Sequence, residues 1–164
     1  MSIRSILSSL ERLLQLHQSL LELSFQKTEL LKKGDITTLQ KLLKTEQKHI
    51  QAVDTMEKKR LDSTKVWSET NQMVSDDVTV TTILEALPDG EERNQLESLT
   101  TKLAETLVQL KAQEGLNQQL TNQSLQFVQM NLDMIAPSIK QMNYGNIKNQ
   151  NDPQSKRSVF DSKA

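Results

Sequence analysis

The sequence predicts an all-α protein: an elongated antiparallel helical bundle or coiled coil with three main helices, one short helix and a flexible C-terminal tail. Three observations carry this expectation. Hydrophobic residues make up 35% of the 164 residues and aromatics 3%, enough for a narrow Leu-rich seam but not for a broad core. Four Gly and three Pro in the whole chain supply too little turn material for many strands. Apolar residues recur at helical spacing over long runs, the longest from Asp89 to Ile135.

The first helix spans Ile3 to Lys32. Ile3, Ile6, Leu7, Leu10, Leu13, Leu14, Leu20, Leu21, Leu30 and Leu31 form a seam close to seven-residue repetition. Lys32 and Lys33 suit a helix C-terminus, where the backbone dipole is negative. Gly34 follows as a residue that takes a left-handed conformation cheaply, and Asp35 caps the next helix. Gly34-Asp35 therefore reads as a one-step reversal between two antiparallel helices.

The second helix spans 36–67. Ile36, Leu39, Leu42, Leu43, Ile50, Val53, Met56 and Leu61 make its stripe, with polar interruptions at Glu46 and His49. The pattern decays beyond Leu61, although Val66 and Trp67 extend it. Glu57 and Arg60, three apart, can pair on what reads as a solvated face. Val78, Thr79 and Val80 suit a strand, but one strand has no sheet to join, so a short helix over 80–87 is expected.

The third main helix spans 90–135. Asp89 and Glu92 have the spacing of a capping box, with Pro88 just ahead. Leu96, Leu99, Leu103, Leu107, Leu110, Leu120, Phe127 and Met134 follow. A helix of roughly 45 residues is ~70 Å long and must take its packing partners from the other apolar stretches. Between Glu114 and Asp133 there is no charge. That run has the length of a membrane span, but Asn and Gln fill it, which excludes one. Two readings remain: amides that cross-bond inside a bundle, or a neutral surface kept for a partner helix.

Pro137 is expected to stop this helix. The bundle domain is thus 1–136, and 137–164 is a flexible tail rich in Asn, Gln, Ser and Lys. Five basic residues against two acidic ones give the tail a net +3, whereas three basic residues against six acids give 90–136 a net −3. Ile139, Met142, Tyr144, Ile147, Val159 and Phe160 are spaced along the tail, a pattern that fits folding on a partner and equally fits an inert terminus.

The net charge is −1 and there is no Cys. Nothing steers the chain towards nucleic acid or an anionic membrane surface, and thiol catalysis, disulfides and thiolate metal sites are excluded. The N-terminus reads as amphipathic helix rather than a signal peptide, which points to the cytoplasm. No phosphate loop, nucleophile elbow, His-Glu-x-x-His or calcium loop is present, so neither an enzyme nor a cofactor is expected. His17 and His49 fall near one another across the reversal. Two imidazoles with no obvious carboxylate completing a set make a poor metal site. Neither histidine has the His-x-x-Lys-Gly context of a phosphotransfer bundle.

Several stretches together resemble the FlgN family of flagellar export chaperones in its Gram-positive form. They are Leu31-Lys-Lys-Gly-Asp35 leading to Leu39-x-x-Leu-Leu43, Glu46 with Glu57-x-x-Arg60, Leu116-Asn-Gln-Gln-Leu120, Ser124-Leu-Gln-Phe127, Tyr144-Gly145 and the terminal Phe160-Asp-Ser-Lys-Ala. The resemblance covers nearly the whole chain. It implies a cytosolic chaperone without enzyme chemistry that holds the C-terminal helical segments of the hook–filament junction proteins FlgK and FlgL before export. It implies a C-terminal part that orders on the client. Tyr144 resembles a tyrosine that contacts the export-gate protein FlhA in other members. For the client, Phe127, Met130, Met134, Ile135, Ile139 and Met142 are the expected contacts, since flexible Met side chains suit a surface with two clients; for Met130 and Met134, ordinary core filling is the equal alternative. A structural coiled-coil adaptor is the rival reading, and the choice between monomer and homodimer stays open.

Overall fold

The computed structural model describes residues 3–73 and 77–147, the last eleven by backbone alone. The elements are α1 (Arg4–Lys33), α2 (Ile36–Thr70), α3 (Val80–Ala86) and α4 (Glu91–Ile147), and no strand occurs among the described residues. The architecture is all-α, as the sequence predicts. The chain divides into two units, one ending at Thr121 and the other starting at Asn122.

In the first unit α1 and α2 form the expected hairpin. Gly34 sits at φ +70°, and the amides of Gly34 and Asp35 donate to the carbonyls of Leu31 (3.3 Å) and Leu30 (3.2 Å). That pattern closes a helix with a left-handed residue. The Asp35 carboxylate then accepts from the backbone N–H of Thr38 at 3.0 Å and from its hydroxyl at 2.7 Å. These bonds, the backbone one foremost, hold the Asp35 carboxyl below its ordinary pKa.

Pairing across the unit fixes the directions. Ser5 meets Ser63 at 2.9 Å and Lys27 meets Glu46 at 2.6 Å, so α2 runs antiparallel to α1. Arg4 lies 3.8 Å from Glu92, and Ser24 bonds Glu114 at 2.8 Å, so α4 runs parallel to α1. The short α3 makes this possible by joining the end of α2 to the start of α4. Thr79 caps it, its hydroxyl accepting from the Thr82 amide at 3.3 Å; a β-branched residue that suits a strand by propensity serves here as an N-cap.

Two kinds of packing hold the unit. At the end where α1 begins, Ile3, Ile6, Leu7, Leu10 and Leu13 pack with Trp67 of α2, Ile83 of α3 and Leu96 of α4. Each such buried side chain contributes about 1.5–3 kcal/mol relative to exposure. Towards the other end of α1 the buried residues are Ser24, Lys27 and Thr28, facing Asn117.

The structure changes four expectations. The α2 stripe holds only in part: Leu42 is buried and Val53 and Met56 pack against the core as expected, but Ile36, Leu43, Ile50 and Leu61 are exposed, and Ser63, Thr64, Trp67 and Ser68 are buried. Trp67 wins because it reaches the apolar end, where α3 and α4 also converge. Asp89 is not the cap of the long helix, which starts at Glu91. The Gly90 carbonyl accepts the first helical bond, from Asn94, and the Asp89 carboxylate instead takes Arg93 at 2.9 Å. Arg60 does not lie on a solvated face: its side chain is largely buried and bidentate to Glu57, at 2.9 and 2.6 Å. Finally, α4 does not stop at Pro137 but runs to Ile147. A proline inside a helix removes one bond, here the one to the Asp133 carbonyl, and costs about 3 kcal/mol without forbidding continuation. The rest of the expected tail, 148–164, lies outside the described residues.

Candidate functional site

Neither histidine sits in a reactive constellation. His17 Nδ1 donates to the Leu13 carbonyl at 2.8 Å and His49 Nδ1 to the Thr45 carbonyl at 2.9 Å. A carbonyl can only accept, so each ring carries its proton on Nδ1 when neutral and is held by its own helix. His17 faces a cavity of about 540 Å³ with Leu10, Leu13, Val53, Glu57 and Arg60 in its wall. The Arg60 guanidinium holds the Glu57 carboxyl below its ordinary pKa, and Glu57 in turn raises that of Arg60. No group of three or more metal-ligating side chains occurs among the described residues.

The polar cluster between α1, α2 and α4 is the feature that the leucine pattern did not reveal. Lys27 Nζ reaches Glu46 at 2.6 Å and Glu114 at 3.0 Å. Burial pushes the Lys27 pKa down, but the bonds to Glu46 and Glu114 outweigh it and hold the group above its ordinary 10.5. Next to it Thr28 donates to Asn117 Oδ1 at 2.6 Å, and Asn117 Nδ2 donates to the Ser24 carbonyl at 3.0 Å. Gln113 also bonds the Thr28 hydroxyl. Glu46, taken from the sequence as an interruption of the α2 stripe, is thus a seam residue with a buried partner. Spacing held the signal: Leu13, Leu20, Ser24 and Lys27 keep to steps of three, four and seven, which is one helix face. Asn117 shows that the amide-rich run does cross-bond within the bundle at its start.

Beyond Asn122 the described side chains present the opposite picture. Leu125, Phe127, Val128, Met130, Leu132, Met134 and Ile135 are each between 51% and 70% exposed. Four of the residues expected to meet a client, Phe127, Met130, Met134 and Ile135, are therefore solvent-facing on α4 and fill no core. Ile139, Met142 and Tyr144 fall on its helical backbone, with side chains outside the described residues. Phe127, Met130 and Met134, at steps of three and four, share one stripe. Ile135 belongs to another, with Leu125, Val128 and Leu132. Sequence reasoning named Ile135, Ile139 and Met142 of that second repeat but missed Leu125, Val128 and Leu132, although their 3-4-3 spacing is visible in the chain. Polar residues separate the two: Ser124 and Asn131 on one side, and Asn122, Gln126, Gln129 and Asp133 on the other. No helix among the described residues is long and apolar enough to cross a membrane.

Over its whole length the chain is 38% identical to the Bacillus subtilis (strain 168) protein named "Uncharacterized protein YvyG", covering all of both chains. No solved structure matches. The family model described as FlgN protein matches residues 1–152. With a family match across most of the sequence and a full-length relative at that identity, the chain belongs to the FlgN family, a family associated with flagellar export chaperones.

Proposed function

We propose that this protein is a cytosolic type III flagellar export chaperone that captures the C-terminal helical segments of the hook–filament junction proteins FlgK and FlgL. One observation carries the reading: seven large apolar side chains stand exposed on one fifteen-residue stretch of α4. Such a surface on a folded protein is an interaction site, and on a helix it suits an amphipathic helical partner. Phe127, Met130, Met134 and Ile135, with Ile139 and Met142 on the next turns, hide the sticky seam of the client and so prevent premature assembly. Met130 and Met134 adapt to two clients because a thioether side chain repacks easily. Tyr144 is the residue that meets the export gate through FlhA.

Calorimetric titration with purified FlgK and FlgL from the same organism tests this, using the full chain and then the chain cut after Ala136. Saturable one-to-one binding weakened by the cut is expected, with the helicity of the bundle retained. A large loss of helicity beyond the share removed would show the cut segment to be structural. The rival adaptor reading is favoured by the repeat of Leu125, Val128, Leu132 and Ile135, whose spacing also suits self-pairing. It predicts a concentration-dependent homo-oligomer in sedimentation and no affinity for either client.

A further inference from the structure

We propose that the exposed stretch of α4 is clasped from two sides by two amphipathic helices of a single client molecule; this rests on the export-chaperone reading and specifies the partner's form. The observation is the presence of two apolar stripes rather than one. At about 100° per residue, Leu125, Val128, Leu132 and Ile135 centre on one line of the helix, and Phe127, Met130 and Met134 on a second, about 140° round the axis. Ile139 and Met142 fall at the next two positions of the first repeat on the same helical backbone. A helix that meets one partner needs one seam. Two seams on nearly opposite sides need two partners, as in the middle of a helical layer.

Other occupants cover too little. A second copy of this chain, joined in a closed twofold dimer, pairs one stripe with its equivalent and leaves the other in water. The remaining residues of the chain, 148–164, contain only Val159 and Phe160 as large apolar side chains, too few to fill either stripe. Between residues 122 and 136 Asp133 is the one charged side chain, so neither stripe is flanked by the paired charges that select a like copy in coiled coils. The remaining occupant is a partner that brings two apolar-faced helices at once.

The test is titration of the full-length chaperone and three variants with full-length FlgK and, separately, FlgL. The first variant is Leu125→Gln with Leu132→Gln. The second is Phe127→Gln with Met134→Gln. The third, Gln126→Ala, alters the polar strip as a control. Gln keeps helix propensity and all four apolar sites are exposed, so circular dichroism should show unchanged helicity. One client per chaperone is expected, with affinity falling at least tenfold in each of the first two variants and unchanged in the third. A stripe whose removal changes affinity less than twofold overturns the clasp. If that silent stripe abolishes a chaperone dimer in sedimentation, a second copy occupies it. Two clients per chaperone, each lost with one stripe, overturn it as well. Failure of the unaltered chaperone to bind either client is a separate result, which removes the chaperone reading itself.

Discussion

The two stretches of α4 invert the usual relation between polarity and burial. From Glu91 to Thr121 the helix buries Leu96 completely, but it also buries Thr106 and Asn117, while Leu107, Val108 and Leu116 stand exposed. From Asn122 to Ala136 it carries seven large apolar side chains and buries none of them. The difference lies in what each stretch has available to pack on. The first lies against α1, whose own seam turns polar at Ser24, Lys27 and Thr28, and matching polar groups are the least costly neighbours for it. The second keeps apolar surface in water, an unfavourable exposure that a client would relieve under the proposed function.

The comparison breaks most readily at Leu96. Truncating this fully buried side chain in Leu96→Ala should destabilise the protein by about 4 kcal/mol, from lost burial plus the cavity left behind. Urea unfolding measures it. A loss under about 1 kcal/mol would mean that the apolar end is not the core of the first unit.

Lys27→Met comes next. It strands Glu46 and Glu114 against each other without their cation, and about 3 kcal/mol is expected, at the low end for a broken buried pair because Glu114 reaches solvent. The substitution also changes the response to alkali. The folded pKa of Lys27 lies above its ordinary 10.5, so the stabilisation is complete below 10.5 and is lost as pH rises through the folded value. The melting temperature of the unaltered protein should therefore fall more steeply above pH 10.5 than that of Lys27→Met. Parallel curves would show that the ammonium gains nothing from its two carboxylates.

Phe127→Ala is the contrasting case. The side chain is exposed, so stability should move by less than about 0.5 kcal/mol, while affinity for FlgK and FlgL drops. A stability loss like that of Leu96→Ala would place Phe127 in a core and erase the difference between the two stretches.

How far the sequence reached follows the same line. Helix existence and the hairpin at Gly34-Asp35 were legible because local chemistry decides them: a left-handed glycine, a carboxylate cap and two lysines at a helix end act within a few residues. The short helix was legible by elimination, once a lone strand had no sheet. What stayed hidden depends on neighbours distant in sequence. Glu46 looks like a defect in a leucine stripe until Lys27 stands opposite it, and Leu43 and Leu61 look like core until Trp67 takes the apolar end. Asp89 was misread because Arg93 competes for its carboxylate. The exposed residues of α4 were legible as apolar and helical, and Phe127, Met130, Met134 and Ile135 were singled out on that ground. Their exposure needed the structure, because it depends on which other elements reach that stretch; the stripe of Leu125, Val128 and Leu132 was there in the spacing and was overlooked.

Pro137, at the far end of the exposed stretch, offers the smallest effect on overall stability. In α4 its ring leaves the Asp133 carbonyl without a helical donor, and Pro137→Ala restores the missing N–H. The main melting transition, set by the core around Leu96, should stay where it is. Amide exchange between residues 133 and 141 should slow by about tenfold, since local helix opening becomes costlier. Client affinity should rise in step, because part of the ordering on binding is already complete in the free chain. Slower exchange without tighter binding would mean that clients engage the helix only before Pro137. Unchanged exchange would mean that the helix ends at the proline in solution, so that Ile139, Met142 and Tyr144 meet their partners from a chain that folds only on contact.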